Sequence, residues 1–158
     1  QLKIAASVKE KYNKKQACFV TLTRNSCLRG CIGSLYPTKA LYEDIIDNTL
    51  NAAFSDPRFP PLSKNELKEI KIEISILTIP KKLTYKNEKD LLKKINNKQG
   101  IIIKKGFYQA TYLPQVWEQL PDKKEFLSSL CIKAGLSPDS WKNDIEVYTY
   151  QVEKIQED

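Results

Sequence analysis

The sequence predicts an α+β domain with a mainly antiparallel sheet and flanking helices, not a doubly wound sheet. Two observations carry this. Segments with strand patterning outnumber long helical ones, and several follow one another across short turns, as hairpins do. The length of 158 residues fits one domain, or two small lobes around one core. A chain of this size buries roughly 70% of its unfolded surface, so folding requires neither disulfides nor a metal.

The elements follow in order. Residues 2–12 have helical spacing, with Leu2, Ala5, Ala6 and Val8 on one face. "ACFVTLTR" (17–24) is rich in β-branched and aromatic residues and reads as a strand. "NS" (25–26) is a hairpin turn, and "CLRGCIGSLY" returns from it until Pro37 closes the segment. Residues 39–54 form a helix behind a Thr38 N-cap, with Leu41, Ile45, Ile46, Leu50 and Ala53 as its apolar stripe. "SDPRFPP" (55–61) holds three prolines and is a stiff, extended loop, because residues before proline avoid helical angles. "SKNE" (63–66) reads as a capping box for a short helix. "IKIEISILTI" (70–79) alternates and stops at Pro80, so it is a strand. Residues 88–95 are a short helix, and "GIIIKKGFYQATYL" (100–113) makes two strands around Gly106. "DKKE" (122–125) caps a helix that runs through Cys131 and stops at Gly135. "IEVYTYQVEKI" (145–155) is the last strand.

Composition excludes several classes. A hydrophobic share of 41% is globular rather than disordered. No run approaches the roughly 18 apolar residues of a membrane span, and the N-terminus lacks the pattern of a signal peptide. Four irregularly spaced cysteines suit a reducing compartment, so the expected location is cytoplasmic. The net charge of +7 comes with lysines in pairs and never in longer runs, which describes a solvated surface better than a nucleic-acid patch. With no histidine, Ser-His-Asp and Cys-His catalysis are excluded within the chain, as is histidine-ligated zinc. Cys27 and Cys31 form C-x₃-C, not the C-x₂-C of zinc or thioredoxin-like sites, so no metal is expected. Cys18 and Cys131 are expected in the core. Methionine is absent even from position 1, which fits a fragment of a longer chain or a trimmed start.

Lysine outnumbers arginine 23 to 3, so a retained arginine points to a need for the planar, forked guanidinium. Arg24 sits at a strand end. Arg29 and Arg58 lie in the dense segments "LRGCIG" and "DPRFPP", placed to grip an anionic group or to pair with a buried carboxylate. Gly30 and Gly33 flank Cys31 with little side-chain cover and would let a ligand approach the main chain. In an extended segment residues 29, 31 and 33 share a face, which would put the guanidinium beside the thiol and favour the thiolate. The competing reading is that Cys31 is a small buried hydrophobe. Asp56 and Arg58 could brace one another across Pro57 or face a ligand. Glu73 lies opposite Ile72, Ile74 and Ile76 by alternation and is expected in solvent. Gln115, in "LPQV", offers an amide that donates and accepts, or simply anchors a loop.

These segments together resemble one family. "LRGCIGSLYP", a helix, "AAFSDPRFPPLS", "IEISIL", "LPQV" and "EFLSSLCIKAGL" follow the order and spacing of the AMMECR domain, labelled in prokaryotes as component A of the AmmeMemoRadiSam system. The likeness covers roughly residues 2–152. It implies an α+β domain of two unequal sublobes around a cleft, with the functional centre at residues 29–33. Its motif residues fall on Arg29, Gly30, Cys31, Gly33, Asp56, Arg58 and Gln115, while Cys27 lies outside the motif and the first helix is short. It also implies partners: a Memo-like protein similar to extradiol dioxygenases, in many bacteria fused ahead of this domain, and a radical SAM enzyme. It brings no established reaction, and the residues call for no cofactor.

Three functions follow. The first is a small-molecule-binding or thiol-based enzyme, with Cys31 as nucleophile and Arg29, Gly30, Gly33, Asp56, Arg58 and Gln115 holding substrate. The second is a non-catalytic adaptor for the Memo-like and radical SAM partners, in which Cys31 matters only by size. Nucleic-acid binding is a remote third, suggested by charge and tyrosine content alone.

Overall fold

A computed structural model describes residues 3–157 and divides the chain into two compact units. The first comprises Gln1–Ile79 with Glu153–Asp158, and the second Pro80–Val152. Each holds its own four-stranded sheet and its own hydrophobic cluster. The α+β class is as the sequence indicates. Among the described residues no helix is long and apolar enough to cross a membrane.

In the first unit α1 (Ala6–Lys11) is shorter than the sequence suggested, and Ala5, Ala6 and Val8 are exposed. Leu2 lies outside the described residues. The sheet is β1 (Ala17–Arg24), β2 (Cys27–Gly33), β3 (Ile70–Leu77) and β8 (Val152–Gln156), in the order β2-β1-β3-β8. β1 and β2 form the expected hairpin. Asn25 and Ser26 both take positive φ, 50° and 63°, as a two-residue turn of matching twist requires. Cys18, Val20 and Leu22 of β1 and Ile72, Ile74 and Ile76 of β3 face one side of the sheet. There they pack with Leu41, Ala52 and Ala53 of α2 (Leu41–Phe54).

α2 departs from its sequence reading in two ways. Ala40, not Thr38, is the N-cap position, and it makes no side-chain cap. The buried residues are Leu41, Asp44, Asn48, Ala52 and Ala53, so Leu41 and Ala53 of the expected stripe are in place, whereas Leu50 is exposed. Two polar side chains therefore enter the core, and they are satisfied there. Asp44 accepts from the Cys18 N–H (3.0 Å), the Ser34 hydroxyl (2.9 Å) and the Asn48 amide (3.0 Å), and Asn48 also donates to the Cys18 carbonyl (3.2 Å). Such a network is tolerable in a core because every member has a partner.

The second unit contains β4 (Lys81–Lys82), α3 (Glu88–Lys94), β5 (Gly100–Lys105), β6 (Tyr108–Tyr112), α4 (Lys123–Lys133) and β7 (Glu146–Tyr150), with sheet order β4-β7-β5-β6. Ile101 and Ile103 of β5 pack with Leu91, Phe126, Leu127, Leu130 and Val147. Trp117 stacks on Phe126 at 3.6 Å between ring centroids. Asp122 caps α4 through the N–H groups of Lys124 and Glu125, and Gly135 closes it at φ 83°. The segment read as one last strand is two. β7 ends at Tyr150 in the second sheet, and β8 begins at Val152 beside β3 in the first.

Gly30 is where the first unit is tightest. An added Cβ would lie 2.1 Å from the Ala52 carbonyl oxygen of α2, a backbone atom that cannot turn aside. Gly106, by contrast, has open space but φ 59°. Gly30→Ala is expected to destabilise the protein by about 3 kcal/mol, the upper range of overpacking. Gly106→Ala should cost about 1 kcal/mol, from strain alone. Urea unfolding of the two variants measures the difference.

Candidate functional site

β2 is the edge strand of its sheet, so one side of its backbone lacks a neighbouring strand. The proline-rich loop fills that side at Cys31. The Asp56 carboxylate accepts the Cys31 N–H at 2.9 Å, and the Arg58 guanidinium donates to the Cys31 carbonyl at 3.2 Å. The same carboxylate takes the Arg58 backbone N–H (3.0 Å) and two guanidinium N–H groups (3.0 and 2.7 Å). Pro57 keeps this three-residue loop compact, and Phe59 N–H closes on the Asp56 carbonyl. Asp56 is 4% exposed, and the Arg58 guanidinium holds its carboxyl well below the usual range, with the Cys31 N–H adding to this. Asp56 therefore stays ionised and fully engaged, and is a poor base.

Arg29 lies elsewhere than expected. The pairing runs Leu22 with Gly30 and Thr23 with Leu28, leaving Arg29 as an extra residue in the ladder. A bulge of this kind re-aims its side chain. Arg29 donates to both oxygens of Glu66, at 2.7 and 3.2 Å, and the expected pairing of guanidinium with thiol gives way to this two-pronged ion pair. Glu66 is held by the capping box, accepting the Ser63 N–H and hydroxyl at 2.9 Å each. That box opens only a short 3₁₀ turn (Glu66–Lys68) rather than a helix. Phe59 lies near both arginines, its ring 5.9 Å from the Arg29 and 5.6 Å from the Arg58 guanidinium carbon.

The flanking glycines serve packing. Gly30 admits Ala52 of α2, and Gly33 lies under the Phe19 ring, whose nearest carbon would be 2.2 Å from an added Cβ. Neither has a positive φ, and the Cys31 N–H is already bonded to Asp56. The expected glycine-flanked oxyanion cradle does not form at this N–H.

The Cys31 side chain is half-buried and faces away from α2. Its sulfur lies 3.3 Å from the Thr21 hydroxyl, on the residue directly opposite in β1. Thr21 is in turn directly opposite Glu73 in β3. Glu73 is half-buried rather than in solvent, its side chain 20% exposed and paired with Lys154 of β8 at 2.7 Å. On the same face and two residues along β3, Ser75 is 1% exposed and its hydroxyl has no hydrogen-bond partner. An unsatisfied buried hydroxyl costs about 1–3 kcal/mol, and among the described residues this is the one buried side-chain N or O atom without a partner.

The remaining cysteines differ. Cys18 is fully buried, and burial pushes its thiol up to about 12. Cys131 is buried and raised by the same cause. Cys27 is exposed at the hairpin end. Gln115 lies in the second unit, half-buried in a 3₁₀ turn (Pro114–Glu118) after β6. Among the described residues, no three of His, Cys, Asp and Glu gather to hold a metal ion. Sequence reasoning missed Thr21, Glu66 and Ser75. A register for the hairpin and for β3 would have found Thr21, since it alone places a hydroxyl opposite the cysteine.

Acid should loosen this part of the first unit. Glu66 is lowered from its ordinary 4.5 to about 2, first by Arg29 and then by Ser63, and Asp56 is lowered further. A depressed folded-state value stabilises above the unfolded value and is lost as pH falls through the folded one. Stability should therefore decline from pH 4.5 towards pH 2, and Glu66→Gln should flatten that part of the thermal-unfolding profile.

The AMMECR1 family model matches residues 1–155. Protein NEQ441 of Nanoarchaeum equitans is 46% identical, over 98% of this chain and 88% of its own length. Protein MJ0810 of Methanocaldococcus jannaschii is 38% identical over 98% and 79%. The crystal structure of the uncharacterized protein PH0010 from Pyrococcus horikoshii superimposes with a TM-score of 0.92 at 34% identity, covering all of this chain and 81% of the other.

Proposed function

The chain belongs to the AMMECR1 family, and we propose that within it this protein is a thiol-based enzyme or small-molecule binder centred on Cys31. One observation carries the reading. Of four free cysteines, Cys31 is the one whose backbone is bracketed on both sides by an ion pair and whose sulfur meets a hydroxyl. The bracket fixes the position of the thiol for attack on a substrate. Arg29 acts at one remove, since Glu66 holds it and thereby anchors the loop that carries Asp56 and Arg58. A cytoplasmic setting keeps all four thiols reduced.

Iodoacetamide alkylation with peptide mapping tests this reading. Cys31, although less exposed than Cys27, is expected to react about tenfold faster at neutral pH, the advantage of an activated thiol. A Cys31 no faster than Cys27 would remove it.

An adaptor role has an observation of its own. Phe107, at the tip of the β5–β6 hairpin, is fully exposed beside Tyr108 and follows Lys104 and Lys105. If this tip docks a Memo-like or radical SAM partner, Phe107→Ser should abolish co-purification while Cys31→Ser preserves it. The reverse pattern would place the partner contact at the thiol.

A further inference from the structure

The first two turns of α2 border a cavity in which the thiol takes no part. Asp44, Asp47 and Asn48 are spaced three and four residues apart and share one side of the helix. With Ser34, just past β2, and with Lys39 and Leu50, they line an open cavity of about 360 Å³. All of these residues belong to the first unit.

The floor of the cavity is polar and almost fully buried, Asp44 being 3% and Asn48 5% exposed. The hydrogen bonds of the Asn48 carboxamide all run from Nδ2, to Cys18, Asp44 and Ser34. Among the described residues, none donates to its Oδ1. That oxygen is not sealed in the core either, because the one sealed side-chain N or O without a partner is the Ser75 hydroxyl. The unpaired Asn48 acceptor therefore opens on the cavity that the residue lines. Beside it, Asp44 Oδ1 accepts only the Ser34 hydroxyl and keeps a second lone pair.

The rim is acidic. Asp47 pairs with Lys39, and Asp47 first, then Asp44 and Glu43, hold the Lys39 ammonium above its ordinary value. Three carboxylates thus act on one cation, a local negative spot in a chain of net charge +7. An anionic ligand would be repelled here, and a neutral one would leave the charge uncompensated. Exposed Leu50 gives the cavity an apolar wall.

We propose that this cavity binds a primary ammonium group carried on an alkyl chain. An ammonium has three donors and no acceptor. Three acceptors await it: Asn48 Oδ1, the free lone pair of Asp44 Oδ1 and the Asp47 carboxylate, which Lys39 now occupies. The alkyl chain lies against Leu50. A free diamine and a lysine side chain of another protein share this chemistry. The inference is independent of any reaction at Cys31.

NMR titration of the ¹⁵N-labelled full chain tests it, followed at the Asn48 side-chain amide and the Ser34 N–H. The probes are putrescine, Nα-acetyl-lysine N-methylamide and glycerol. At least one amine should shift these signals at millimolar concentration while glycerol leaves them in place. Tighter binding of putrescine assigns the site to a free diamine, and tighter binding of the lysine derivative assigns it to a protein side chain. Asp47→Asn alters only the exposed rim and should weaken amine binding about fivefold, the upper worth of an exposed charge pair. Lys39→Gln removes the resident cation and should tighten it by about threefold, on the same scale. Three results would each overturn the proposal. One is no shift with either amine. Another is glycerol shifting the same signals as strongly as the amines. The last is an affinity that neither substitution changes, the mark of amines spread over surface carboxylates.

Discussion

The bracket that Asp56 and Arg58 place on Cys31 is the constraint on which the β2 edge of the first unit depends. An edge strand offers an unpaired N–H and C=O at every second residue, and each invites another strand or water. Here one ion pair satisfies both groups of one residue. The carboxylate can accept from the main chain because it is buried beside its counter-charge, and the guanidinium can donate because Asp56 fixes its plane. Breaking either partner would leave the other buried or adrift, so the pair acts as a unit. The result is a strand edge closed at a residue whose thiol is half-buried on the other face of the sheet.

A second ion pair supports the first. Glu66 leaves its capping role at Ser63 only partly occupied and receives Arg29 with both oxygens. The loop between Asp56 and Glu66 is thereby tied to β2 at two points, through residues 29 and 31. On the opposite side of the sheet Gly30 lets α2 approach until Ala52 meets the strand, and Asp44 and Asn48 knit the helix to Cys18. Each residue of "RGC" thus faces a different neighbour. The arginine reaches the loop's acid, the glycine the helix and the cysteine the open face. That division explains why the segment gathers residue types that the rest of the chain uses sparingly.

Much of the fold was legible from local pattern. The β1–β2 hairpin, the strand ending before Pro80, the "DKKE" cap and the glycine stop at 135 all depend on near neighbours, and their signals are local too. The errors share one cause. α2 carries a polar pair at i and i+4, Asp44 and Asn48, on its buried face, and only the partners waiting on β1 and at Ser34 make that burial tolerable. Periodicity ranks Leu50 above them because it cannot see those partners. The last strand looked continuous because alternation persists through Gln151, although the chain changes sheets there. Glu73 reads as solvent-facing by alternation, yet Lys154, distant in sequence, draws it into the row.

The sequence by itself singled out where its rarest residue types gather. The excess of lysine over arginine, the absence of histidine and the glycines flanking Cys31 depend only on counts and spacing, and they isolated residues 29–33 and 56–58. Tertiary structure decided what those residues do. A guanidinium pairs with whichever carboxylate the fold presents, and here a bulge turns Arg29 to Glu66 while Pro57 folds Asp56 back onto Arg58. Which side chains lie beside a thiol depends on strand register, which is set by long-range pairing rather than by neighbouring residues. Only that register lines up Cys31, Thr21 and Glu73 across the sheet.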